Sequence, residues 1–165
     1  MRLQLVATAA VGAGLYAVYT YRRHMAAEAH RTAIREAYAA TARGDQSCCV
    51  STGGAAALIA TGYSDADRAL AKRLDVDMGV GCGNPVELAV LVEGETVVDL
   101  GSGAGLDCLI AAQRVGPKGR SIGIDMTPEM LDKARAAAQQ AGIVNADFAK
   151  GGETTGIRTH AVAAV

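Results

Sequence analysis

Thr96-Val97-Val98-Asp99-Leu100-Gly101-Ser102-Gly103-Ala104-Gly105, followed after a helical stretch by Ser121-Ile122-Gly123-Ile124-Asp125, decides how this chain folds. Thr96 to Leu100 is an apolar run of strand length, rich in the β-branched residues that suit a pleated backbone. It feeds a loop with glycine at the alternate positions 101, 103 and 105. Helical spacing then begins in Gly105-Leu106-Asp107-Cys108-Leu109-Ile110-Ala111-Ala112. The order is strand, glycine turn, helix, then a second strand ending in a carboxylate. Glycine lets backbone approach a ligand closely, because it lacks a Cβ and tolerates positive φ. The helix start offers unpaired N–H groups and a positive dipole end. Asp125, at the tip of the second strand, is placed to accept hydrogen bonds from ribose hydroxyls.

Downstream, the helix from Leu106 to Val115 stops at Gly116-Pro117-Lys118-Gly119. Cys108 lies among Leu106, Leu109 and Ile110 and reads as a core residue. Thr127-Pro128 opens a second helix, Glu129 to Ala141, whose buried side is Met130, Leu131, Ala134 and Ala138, and Gly142 ends it. Ala146-Asp147-Phe148-Ala149 makes a third strand. The order β-α-β-α-β predicts an α/β fold: a parallel, doubly wound sheet with right-handed crossovers. Residues 152–165 show neither strand nor helix periodicity until a final apolar run too short to decide.

Upstream, Ser64-Asp65-Ala66-Asp67 is a capping-box signature for a short helix through Leu74. Met78-Gly79-Val80-Gly81-Cys82-Gly83-Asn84-Pro85 comes next, with three glycines around Cys82; the loop suits either a buried structural cysteine or a presented thiol. Pro85 starts a helix expected to run from Val86 to Val92. From Met25 to Arg43 an Ala-rich helix places Ile34, Ala37, Tyr38 and Thr41 on one face, and Gly44 stops it. The polar loop after it holds Cys48 and Cys49, which are poorly placed to bridge each other and are either incidental or a site for a soft electrophile.

Leu3 through Tyr21 carries no charged side chain, and Arg22-Arg23-His24 comes immediately after. As a helix this segment has the length to cross a hydrocarbon core, with the basic residues keeping the downstream chain cytosol-facing. A cleaved signal peptide and an organelle-targeting sequence are the rival readings. Sixteen basic and seventeen acidic residues nearly cancel, and no basic stripe marks a nucleic-acid surface. Four cysteines without a C-x-x-C pair fit neither a disulfide scaffold nor a structural zinc site.

A dinucleotide fingerprint, G-x-G-x-x-G, would need glycine at position 106, where this chain has Leu106. Asp99-Leu100-Gly101-Ser102-Gly103-Ala104-Gly105 instead resembles the first motif of class I S-adenosylmethionine-dependent methyltransferases. Taken with Gly79-Val80-Gly81-Cys82-Gly83-Asn84-Pro85 and Gly123-Ile124-Asp125-Met126-Thr127-Pro128-Glu129-Met130, it resembles arsenite S-adenosylmethyltransferases, from about residue 35 to residue 151. The resemblance implies the N-terminal half of a Rossmann-like class I methyltransferase sheet, preceded by helices. It also implies S-adenosylmethionine as cofactor, contacted by Asp99, Gly101, Ser102, Gly103, Gly105, Asp125 and Met126. Arsenite, held as As(III) by Cys82 and by Cys49 of the Cys48-Cys49 pair, would be the substrate, with a thiol reductant as partner. Two further arsenic-binding cysteines of that family have no counterpart here, so a truncated form with an incomplete site is expected.

The expected division is 1–24 as anchor or targeting segment, 25–93 as a helical region with cysteine loops, 94–151 as the cofactor-binding part, and 152–165 as an irregular tail. Two other functions fit the same residues. One is a non-catalytic, membrane-tethered thiol protein that binds arsenite or another soft metal. The other is a class I methyltransferase for a different small molecule.

Overall fold

The computed structural model describes residues 2–45, 58–59, 62–78 and 83–151. Cys48, Cys49, Cys82 and the tail 152–165 lie outside the described residues. The chain divides into two units, Met1–Glu36 and Ala37–Val165.

Helix α1 runs over Arg2–Arg43 and ends at Gly44, whose φ of +80° is the left-handed stop its sequence predicts. Among the described residues no helix is long and apolar enough to cross a membrane. The expected membrane span at 3–21, and the anchored, cytosol-facing location that goes with it, gain no support from this. The buried positions at the end of α1 are Ala39, Thr41 and Ala42, whereas Tyr38 is exposed. The face read from spacing is thus displaced, because small side chains rather than Tyr38 meet the neighbouring layer.

Helix α2 (Asp65–Leu74) begins with the expected capping box: Ser64 and Asp67 satisfy each other's backbone N–H groups. Helix α3 covers only Pro85–Leu88, shorter than the Val86–Val92 expected. Ala89 caps it and Val90 takes a positive φ of 38°, which turns the chain toward the sheet and leaves Leu88, Val90 and Val92 exposed. Arg114 pins this region: it donates to the Val86 carbonyl at 3.0 Å, pairs with Glu87 at 3.0 Å and reaches Asp67 at 3.7 Å.

The remaining elements alternate. Strand β1 (Thr96–Leu100), helix α4 (Leu106–Val115), strand β2 (Arg120–Asp125), helix α5 (Pro128–Ala141) and strand β3 (Ala146–Lys150) build a parallel sheet of order β1-β2-β3. Val98 stands opposite Ile122, and Ile122 opposite Asp147. Leu109, Ile110, Val115, Met130 and Leu131 are buried against the sheet. Asn145, before β3, donates from its amide to the carbonyls of Ala112 and Gly116 at 2.9 Å each, satisfying groups left open where α4 ends. The two βα crossovers bring the C-terminal ends of β1 and β2 side by side, and there the loops converge.

Candidate cofactor site and thiol loop

The ladder continues past β1: the N–H groups of Gly101 and Ser102 both donate to the Ile124 carbonyl, at 2.7 and 3.1 Å. This places the glycine loop over the end of β2. Gly101, Gly103 and Gly105 all have positive φ, at 87°, 50° and 86°. They are not equivalent. A Cβ at Gly101 or Gly103 would meet nothing within 4 Å among the described residues, so their packing leaves the space above that backbone open. A Cβ at Gly105 would lie 2.8 Å from both Ala134 Cβ and Phe148 Cε1. Packing of α5 and β3 alone accounts for glycine at 105.

Asp125 is half-buried at the end of β2. Its carboxylate accepts from Gly103 N–H at 3.0 Å and from Thr127 N–H at 2.7 Å. It therefore orients the glycine loop and the start of α5 while keeping lone pairs for another donor. Met126 comes directly after it, also half-buried. Ser102 is buried with its Oγ unpartnered among the described residues. Asp99 is 7% exposed, and burial pushes its carboxyl up to about 7, with the Asp107 and Asp125 carboxylates adding to the rise. Asp107, in the first turn of α4, is raised by burial and lowered in part by the hydrogen bond from Tyr63.

Three carboxyl groups, Asp99, Asp107 and Asp125, thus gather at one end of the sheet. Such a field repels an anionic pyrophosphate and suits a cationic ligand such as a sulfonium with its ammonium group. The residues present fit S-adenosylmethionine on that account and on the open glycine backbone.

Cys108 is fully buried, as its spacing predicts; its Sγ lies 2.9 Å from Ser121 Oγ and burial pushes the thiol up to about 12. It is a core residue, not a reactive thiol. Cys49 and Cys82 fall outside the described residues. The residues that follow Cys82 are described: the Tyr63 hydroxyl is 3.0 Å from the Gly83 carbonyl and 2.6 Å from Asp107 Oδ1, and Asn84 Nδ2 donates to the Gly62 carbonyl at 3.2 Å. Sequence reasoning missed Tyr63, Asp107 and Gly123. Only Gly123 carried a signal, since glycine inside a strand marks close approach; here a Cβ would lie 2.7 Å from Phe148 and 2.8 Å from Ser102 Oγ.

Residues 91–159, which hold the sheet, the glycine loop and Asp125, match the family described as a methyltransferase domain. The chain is 44% identical over 138 residues to the arsenite methyltransferase of Halobacterium salinarum, a match covering 75% of this chain and 35% of that protein. It is 43% identical over 75 residues to the arsenite methyltransferase of Aquipseudomonas alcaligenes, covering 43% of this chain and 21% of that protein. Protein-L-isoaspartate O-methyltransferase 2 of Archaeoglobus fulgidus is 33% identical over 75 residues, 46% of this chain and 34% of that protein. The chain is thus similar to arsenite methyltransferases, and it spans about a third of the Halobacterium protein's length. A stretch covering three quarters of 165 residues contains Cys48, Cys49 and Cys82 wherever it starts.

Proposed function

We propose that this chain is the cofactor-binding and thiol-bearing part of an arsenite methyltransferase, in which 94–151 holds S-adenosylmethionine and 25–93 supplies thiolates for As(III). The observation that carries the reading is the open glycine backbone at Gly101 and Gly103 beside Asp125, inside a cluster of carboxyl groups. The cofactor supplies an electrophilic methyl group on a positively charged sulfonium. Asp125 accepts hydrogen bonds from the ribose, the backbone at Gly101 and Gly103 lies against the methionyl part, and Ser102 and Met126 flank it. Asp99 offers its carboxyl to positive charge, and Gly105 closes the loop onto α5.

Cys49 and Cys82 are the proposed arsenic ligands. As(III) is soft and exchanges oxygen ligands for thiolates. Its lone pair would form the new As–C bond as the sulfonium S–CH3 bond breaks and that electron pair stays on sulfur, leaving S-adenosylhomocysteine, so no proton is removed in that step and no general base is required of the protein. The contribution of the chain is to hold two reactants in line. Methylation raises arsenic from As(III) to As(V), and two electrons from a thiol reductant return it to As(III).

Incubating the protein with arsenite and methyl-labelled S-adenosylmethionine tests this directly. Labelled methylarsenic is the expected product. Tight arsenite binding without transfer would instead favour a thiol protein that only sequesters the metalloid, and failure of Cys82→Ser to weaken arsenite binding would remove the thiol role.

A further inference from the structure

We infer that Phe148 is a positioning residue for the glycine loop, its ring wedged into a notch left by Gly105 and Gly123; this rests on the reading of that loop as the S-adenosylmethionine site. Phe148 is the one phenylalanine of the chain, which has no tryptophan. It stands on β3 opposite Gly123 of β2, which in turn stands opposite Asp99 of β1. A Cβ at Gly123 would lie 2.7 Å from the ring's Cδ1 and 2.9 Å from its Cε1. A Cβ at Gly105 would lie 2.8 Å from Cε1 and 2.9 Å from Cζ. One edge of one ring thus fills the space of two missing side chains on two separate elements.

Core packing asks only for apolar volume at position 148. It does not ask for glycine at two positions elsewhere, and glycine inside β2 weakens the strand unless a close approach needs it. The loop itself has few side chains by which it could be held. Its N–H groups at Gly101 and Ser102 donate to the Ile124 carbonyl, and the Gly105 carbonyl accepts from Leu109 N–H at 2.9 Å to begin α4. The ring meets the loop at Gly105, whereas a Cβ at Gly101 or Gly103 would not reach it. It therefore fixes the seat of the loop and the start of α4 without covering the open backbone. Arg135 of α5 steadies the strand that carries the ring, donating to the Phe148 carbonyl at 2.9 Å.

The test measures S-adenosylmethionine binding to the whole chain by calorimetry, at a temperature where circular dichroism shows each variant folded. Phe148→Leu keeps an apolar side chain but leaves part of the notch empty. It is expected to weaken cofactor binding about tenfold, the effect of a loop that must be ordered on binding. Val115→Ala, a truncation of a fully buried side chain at the opposite end of the sheet, is expected to lower stability and leave cofactor affinity unchanged. Gly123→Ala tests the notch from its other wall: it drives the ring toward Gly105 and is expected to weaken binding too. In a Phe148→Leu background it is expected to add little, because both changes act through one contact. Unchanged affinity in Phe148→Leu or in Gly123→Ala overturns the positioning role alone. So do additive effects of the two, or an equal loss in Val115→Ala. A parent chain that does not bind S-adenosylmethionine overturns the cofactor reading and this inference together.

Discussion

At the residue scale, three glycines that look alike in sequence have different work to do. Gly105→Ala must force a Cβ between Ala134 and Phe148 while holding a φ of +86°, and it is expected to cost about 3 kcal/mol in denaturant unfolding. Gly103→Ala meets open space and pays mainly for its φ of +50°, about 1 kcal/mol, yet it is expected to lose cofactor binding. Equal unfolding costs for the two would contradict this division. Asp99 makes a second prediction. Its carboxyl lies near 3.8 when exposed and at about 7 in the fold, so the unfolded chain gives up its proton first as pH rises. Stability is full below pH 4 on this account and falls as pH climbs through 7, by about 4 kcal/mol. Asp99→Asn is expected to flatten the stability curve between pH 4 and 8 and to raise the melting temperature at pH 8. An unaltered curve would show that burying this charge is not what sets the pH dependence.

At the scale of elements, local signals and long-range packing divide the chain. Helix α2 is set by its capping box, and Ser64→Ala is expected to cost about 1 kcal/mol, read from the urea midpoint with an unchanged m-value. Strand β1 and helix α4 were legible to the residue, because an apolar run, a glycine turn and a 3.6-residue period leave one reading. Helix α3 was not. Pro85 announces its start, but its early end depends on the turn at Val90 and on Arg114, far along the chain, holding Val86 and Glu87. The face of α1 was misjudged for a similar reason: period alone locates an apolar stripe, not the neighbour that covers it.

At the scale of the molecule, the sheet order β1-β2-β3 and its parallel register bring loops from three parts of the chain to one end. A ligand bound there ties them together. Saturating S-adenosylmethionine at a hundredfold over its dissociation constant is expected to stabilise the chain by about 2.7 kcal/mol. Asp125→Ala is expected to abolish that gain, because Asp125 shapes the Gly103 loop and is the proposed acceptor for the ribose hydroxyls. A melting temperature that rises equally in the variant would remove Asp125 from the site.

The amino-acid sequence by itself determined the βα alternation, the glycine loop, the carboxylate at Asp125 and the core role of Cys108. Each comes from short-range rules, where spacing and residue type are enough. The tertiary structure decided which glycine is open to a ligand and which is packed shut. It also decided that Asp99, Asp107 and Asp125 share one electrostatic field, and that the Phe148 ring lies against both Gly105 and Gly123. Those are distances between segments far apart in the chain, and no local period encodes them.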